Sequence, residues 1–222
     1  MDVETFYDDI ADHYDELRYG SAYCRQISEI ELDFIEPYLR GNCLEVGVGT
    51  GRVTRFLVER VDMVTAVDQS ARMLEKLRHN LGPRKNLTTR VANIYELDQV
   101  EGYGQFGSVA CFRVLPHLQD PLRALRALRD AVIAEGMVLF DLWNAWGYDA
   151  LLKRLGLKKR AVYTNYISIR QMRLLIEASQ LRVVACKGVG FPPWKWLLPL
   201  ERSSFRGLHG MAQRILWVCQ PR

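Results

Sequence analysis

A doubly wound, mostly parallel seven-stranded α/β sheet with helices on both faces is predicted by three observations. From residue 42 onward, strand-like and helix-like segments alternate, the pattern of a parallel sheet joined by crossover helices. The strand candidates, 42–47, 61–68, 87–92, 108–112, 136–142, 181–187 and 214–219, are mostly continuous apolar runs, as strands covered on both faces require. The first of them breaks into glycines at alternate positions, Gly47, Gly49 and Gly51, just where a helix must begin.

Residues 1–41 read as a helical amino-terminal cap on this core. In 70–81, Met73, Leu74, Leu77 and Leu81 share one helical face; in 121–133 the set is Leu122, Leu125, Leu128 and Val132; in 168–179 it is Ile169, Met172, Leu175 and Ile176. Asp120-Pro121 supplies a capping acceptor and a first-turn proline, and Ser168 with Gln171 fits a capping box. Segments 143–167 and 188–212 interrupt the rhythm and read as covers over a site. The 222 residues suit a single domain.

The net charge of +4 is too small to argue for nucleic acid. Basic residues do gather at 153–160 and in a stripe of Arg123, Arg126 and Arg129. The cysteines (Cys24, Cys43, Cys111, Cys186, Cys219) form no C-x-x-C pair and lie mostly in apolar runs, which argues for a reducing compartment and against a metal site. The acidic start, "MDVETFYDDIADHYDELR", is no signal peptide. No apolar run approaches the roughly 20 residues of a membrane span. A cytoplasmic protein is expected.

The glycine turn suits two classes of nucleotide. A dinucleotide fingerprint, G-x-G-x-x-G, would need glycine at 52, where this chain has Arg52. Glu45, two residues before the first glycine, would repel a pyrophosphate and attract an ammonium group. Asp68, ending the second strand, is placed to accept hydrogen bonds from ribose hydroxyls. The residues therefore describe a nucleoside that carries an amino acid.

"LEVGVGTGRVT" followed by "VDQSARML" resembles the first two motifs of the class I S-adenosylmethionine-dependent methyltransferases, and most of all their small-molecule branch of quinone-type and natural-product enzymes. The resemblance continues through "FGSVACFRVLPHLQDP", "EGMVLFDLWN", "YISIRQMRLLIEASQLRVV" and "RILWVCQ", and implies the family's Rossmann-like fold over residues 40–220. It implies S-adenosylmethionine as cofactor, with Gly47, Gly49 and Gly51 beside its methionine and ribose portions, and Glu45 ordering its amino end. Asp68 would hold the ribose diol, with Gln69 and Met73 against the adenine. Asn93 and Ile94 would meet the adenine edge, although the family commonly has Asp where Asn93 stands. Phe112 and Arg113 would bring backbone groups to the cofactor, and Tyr7 and Tyr14 would fold over it. Gly107 stands where the family usually has Asp.

In-line displacement at a sulfonium needs an aligned nucleophile, and a hydroxyl nucleophile also needs a base. His117, just after the fourth strand, is the best-placed candidate base. Trp143, Asn144, Trp146, Tyr163 and Tyr166 are candidates for the substrate wall, because α/β crevices open beyond the carboxyl ends of the strands. "FPPWKWLLP" (191–199) reads as a core flap, a wall for a flat or lipophilic acceptor, or a shallow membrane contact. A small-molecule acceptor is expected and no nucleic acid. The competing readings are a nucleic-acid methyltransferase and a non-catalytic S-adenosylmethionine-binding protein.

Overall fold

The computed structural model describes residues 3–157, 162–191 and 210–222. Three helices, α1 (Val3–Ile10), α2 (Tyr14–Tyr19) and α3 (Ala22–Ile35), precede the core. The alternating part then runs β1 (Cys43–Val46), α4 (Arg52–Leu57), β2 (Val64–Asp68), α5 (Ala71–Leu81), β3 (Leu87–Val91), β4 (Phe106–Cys111), α6 (Pro121–Ala131) and β5 (Val132–Asn144). It closes with α7 (Tyr148–Arg154), β6 (Tyr166–Ile167), α8 (Ile169–Ala178), β7 (Leu181–Val189) and β8 (Arg214–Pro221). The strand order is β3-β2-β1-β4-β5-β8-β7. β8 runs antiparallel to both of its neighbours, and the other pairs are parallel.

The seven expected strands all form, and the unbroken apolar runs are explained by two cores. Leu44 and Val46, Val138 and Phe140, and Ile215 and Trp217 face one side of the sheet, with Leu125 and Leu128 of α6 and Met172 and Ile176 of α8. The intervening Cys43, Leu139, Leu216 and Val218 face the other, with Ile27, Ile30 and Ile35 of α3, Val53 and Phe56 of α4, and Leu74 and Leu77 of α5. In β1 and β4 residues facing both sides are buried, so no in/out alternation survives in their sequence.

Two differences from the sequence reading stand out. β5 begins at Val132 rather than 136, because α6 runs straight into it and Val132 pairs with Phe106 across a register shift. The polar "AEG" inside this extension hides it from an apolar-run criterion. An eighth strand, β6, is two residues long and pairs with β5 through Trp143–Tyr166 and Asn144–Ile167. Segment 143–167 thus contributes to the sheet as well as covering it.

Local capping follows the sequence signals. Asp120 and Ser70 cap α6 and α5 through side-chain oxygens, and Ser168 with Gln171 completes the capping box of α8. Gly107 has a packing reason: a Cβ there would lie 2.3 Å from the Arg40 carbonyl oxygen. Its neighbour Ser108 accepts from the Arg40 amide at 2.6 Å and donates to the Arg40 carbonyl at 2.9 Å. Those bonds fasten the end of the cap to β4. The arginine stripe of α6 is used within the molecule: Arg126 donates to the Ala178 carbonyl at 3.5 Å and Arg129 to the Ser179 carbonyl at 3.0 Å, at the carboxyl end of α8 where cations are favoured. Of the basic cluster 153–160 only 153–157 are described, and of 188–212 only 188–191 and 210–212. Most of 191–199 therefore lies outside the described residues. No helix among the described residues is long and apolar enough to cross a membrane.

Candidate cofactor and acceptor site

The site opens at the carboxyl ends of β1, β2 and β4. In the turn after β1, Gly47, Gly49 and Gly51 all have positive φ, at 74°, 53° and 93°, where a side chain is strained. Their surroundings differ. A Cβ on Gly47 would strike Val114 Cγ2 at 2.1 Å, and one on Gly51 would press on Leu81 and Leu77 of α5 at 2.9 and 3.1 Å. A Cβ on Gly49 would find only the Tyr14 ring, at 4.0 Å. Gly47 and Gly49 face the cavity, whereas Gly51 lets α4 approach α5.

Asp68 fixes this turn. It is buried at the end of β2 and accepts from the Gly49 amide at 2.9 Å and from the Ser70 amide at 3.0 Å. Burial raises its pKa, and those amides, Ser70 first, pull it back. A carboxylate has about four lone-pair directions; the Gln69 amide also bears on the group, which lines the cavity.

The main cavity is lined by Tyr7, Tyr14, Gly47, Gly49, Asp68, Gln69, Met73, Ile94, Phe112, Arg113 and His117 among the expected residues. Val46, Ser70, Ala92, Val114 and Leu118 line it as well, unsuspected from the sequence. Asn93 does not line it, although its neighbours Ala92 and Ile94 do. Its side-chain oxygen instead accepts from the Tyr95 amide at 3.0 Å and caps the 3-10 turn Ile94–Gln99.

The five proposed acceptor residues are likewise absent from the lining. Asn144 is buried and donates to the Gly210 and Ala212 carbonyls at 2.8 and 2.9 Å. Tyr166 donates to Asp149 at 2.6 Å and meets Trp143 edge-on. Trp146 is exposed, with the Arg154 guanidinium 5.1 Å from its ring centroid. The Tyr163 ring points to solvent while its carbonyl reaches the site. Four of these side chains tie or cover segment 143–167, and Tyr163 serves through its backbone.

A second recess adjoins the first, lined by Tyr14, Glu45, Gly47, Gly49, Thr50, Arg52 and Arg113 among others. Glu45 is buried in β1 and its Oε2 has no hydrogen-bond partner among the described residues. Burial drives its pKa to about 8, with Thr54 and the Arg52 charge opposing the rise. An orphaned buried acid beside two guanidiniums fits a zwitterion: the acid for an ammonium, the arginines for a carboxylate.

His117 lies in the 3-10 turn Leu115–His117. Its Nδ1 is 2.8 Å from the Tyr163 carbonyl oxygen and its Nε2 is 2.9 Å from the Tyr7 hydroxyl. A carbonyl only accepts, so Nδ1 carries the proton. In the neutral ring Nε2 then accepts from Tyr7.

The cap is bound to the core by acids. Asp8 accepts from the Ser70 hydroxyl, Asp12 pairs with Arg72 and Lys76 at 2.5 Å each, and Asp15 accepts from the Thr50 hydroxyl at 2.5 Å. Tyr7, Tyr14 and Met73 pack together beneath α1 and α2.

With this geometry in place, the comparisons with known proteins agree on a class. Residues 44–140 match the family described as a methyltransferase domain. The ubiquinone biosynthesis O-methyltransferase of Idiomarina loihiensis is 27% identical over 191 residues, covering 80% of this chain and 78% of that one. Magnesium protoporphyrin IX methyltransferase from Synechocystis, solved with bound S-adenosylhomocysteine, aligns with a TM-score of 0.74 at 11% identity, covering 99% of this chain and 98% of that one. A Haloferax volcanii methyltransferase in complex with the Trm112 activator aligns at 0.73 and 15% identity, covering 97% and 98%. The fold and these likenesses are those of an S-adenosylmethionine-dependent methyltransferase. Among the relatives, enzymes named ubiquinone biosynthesis O-methyltransferases are similar to this chain at 23 and 27% identity.

Proposed function

We propose that the protein transfers a methyl group from S-adenosylmethionine to a hydroxyl oxygen of a small, flat or lipophilic acceptor. The observation that carries this reading is the fixed tautomer of His117, whose unprotonated Nε2 faces the Tyr7 hydroxyl on the cavity lining. Support for the acceptor class comes from the apolar lining near His117, Phe112, Val114 and Leu118. The relatives named as ubiquinone biosynthesis O-methyltransferases point the same way.

Asp68 would take the ribose hydroxyls, Met73 and Ile94 the adenine, Glu45 the ammonium, and Arg52 with Arg113 the carboxylate. When bound, S-adenosylmethionine supplies an electrophilic methyl carbon on a positive sulfur. The rings of Tyr7 and Tyr14 offer that charge their π faces. Alignment of acceptor and methyl in the cavity would contribute about 7–11 kcal/mol as effective concentration. His117 Nε2 receives the acceptor's hydroxyl proton in place of the Tyr7 proton. The Nδ1–H bond to the Tyr163 carbonyl stabilises the imidazolium that forms.

The test measures S-adenosylhomocysteine release with phenolic, amine and tRNA acceptors. Phenols are expected to turn over, and His117→Ala to lower that rate by about 10²- to 10⁴-fold with little change in cofactor affinity. Tyr7→Phe, which leaves Nε2 without its donor, should move the acidic limb of the pH–rate profile. Turnover of tRNA alone, or a His117→Ala enzyme of full activity on phenols, would refute the reading. The free cysteines support work in a reducing, cytoplasmic setting.

A further inference from the structure

Behind the second recess lies a cluster of buried charges that direct ligand contact does not explain. Glu31 of α3, Asp141 of β5 and Arg214 of β8 are each buried. Arg214 bridges the two acids, with Nη1 donating to Asp141 Oδ2 at 2.6 Å and Nη2 paired with Glu31 Oε1. Glu31 Oε2 then lies 3.1 Å from Arg52 Nη2 and 3.6 Å from Arg113 Nη2. Ser28, one turn earlier on α3, accepts from Arg52 Nη1 at 2.6 Å. The remaining oxygen of Asp141, Oδ1, accepts from the Arg113 amide at 2.6 Å.

That last bond has a conformational meaning. Arg113 has φ of 65°, in the left-handed region that non-glycine residues rarely occupy. Such a residue persists only where its surroundings over-determine it. The Asp141 bond to its amide and the Glu31 contact to its guanidinium are those constraints. The same turn carries Phe112 and Val114 on the cavity wall. Three arginines face two acids here, so the cluster carries an excess of positive charge toward the recess. It also joins elements distant in sequence, since Glu31 and Arg214 are 183 residues apart.

We propose that Glu31, Asp141 and Arg214 are positioning residues that hold Arg52 and Arg113 as a paired receptor for the carboxylate of the cofactor's amino-acid end. The inference rests on the cofactor reading of the two recesses. Glu31 fixes both guanidiniums from one carboxylate oxygen, Asp141 fixes the backbone that delivers the second, and Arg214 locks the two acids to each other. Without Glu31, Arg52 and Arg113 repel each other and turn away from a common target.

Ligands that differ only in the amino-acid end provide the test. Dissociation constants for S-adenosylhomocysteine and for 5′-methylthioadenosine, which lacks that end, are measured by calorimetry on the full chain. In Glu31→Gln and Asp141→Asn, S-adenosylhomocysteine should weaken by about 10- to 100-fold, the loss of a charge-assisted contact, while 5′-methylthioadenosine changes by less than about twofold. Ser28→Ala, a small change on an outer helix, should give the same selectivity at about two- to fivefold if the acid variants do not fold. Equal weakening of both ligands in folded variants, or no weakening of either, would overturn the proposal. Failure of the unaltered protein to bind either ligand would instead overturn the cofactor reading.

Discussion

At the scale of the residue, Glu45 is the side chain through which the proposed cofactor reading of the glycine turn can be tested. In the free protein its pKa is about 8 against an ordinary value of 4.5, so it is mostly protonated at neutral pH. In the proposed site an ammonium partner requires the carboxylate, so ligand binding below about pH 8 should release a proton. Affinity for S-adenosylhomocysteine should therefore climb as pH rises toward 8 and level off above it. Calorimetry in buffers of different ionisation enthalpy reads the proton directly. The same raised pKa makes the free protein lose stability as pH rises from the unfolded value through the folded one, because unfolding lets the carboxyl ionise. Glu45→Gln should flatten both profiles. Asp68→Ala should abolish binding in a folded protein, because it removes the acceptor of the Gly49 and Ser70 amides as well as any ribose contact. Retained affinity would contradict that assignment. Glu45, Asp68 and the glycines were legible because each breaks a local rule: an acid inside an apolar strand, or a run of glycines at a strand end. Asn93 caps the 3-10 turn at Ile94, and in sequence an Asx cap and a ligand contact look alike. The role of Gly51 depends on Leu77 and Leu81, some 30 residues away, which spacing cannot reveal.

Among the elements, the strands buried on both faces were the plainest to read. β1, β5 and β8 were recognisable as apolar runs because two cores claim their alternate residues. β6 was invisible: two residues carry no period, and its pairing depends on where β5 ends. The segments after β5 were expected to supply the acceptor wall, yet Asn144 and Tyr166 hold backbone and a neighbouring acid instead. The composition of a crevice-side loop does not say which of its aromatics turn inward. Period two did carry one unused signal. Asp141 follows Leu139 on its face, and Arg214 precedes Leu216 on the same one. Opposite charges on one face of two apolar strands foretell an ion pair if the strands are neighbours, and here they are. For the helices, Arg129→Ala should cost about 1 kcal/mol of stability by uncapping α8, measured by urea unfolding, and leave cofactor affinity unchanged. A loss of affinity at constant stability would mean that the stripe acts on the ligand.

For the molecule as a whole, the sheet fixes one half of the site and the amino-terminal helices bring the other. Asp8, Asp12 and Asp15 fasten α1 and α2 onto α5 and the glycine turn, and packing of Tyr7 and Tyr14 with Met73 adds to the hold. The sequence announced an acidic preface but not its partners, since Arg72, Lys76 and Thr50 became neighbours only through the tertiary fold. The Asp12 pairs are half exposed, so salt screens them over a Debye length of about 10 Å at 0.1 M. Asp12→Asn should raise the dissociation rate of S-adenosylhomocysteine and make it less sensitive to salt, as stopped-flow fluorescence can follow. An unchanged rate would mean that the helices stay closed without these pairs. If these helices must part before the demethylated product leaves, the ionic strength of the surroundings would set how long it stays, and salt rather than methyl transfer would pace turnover.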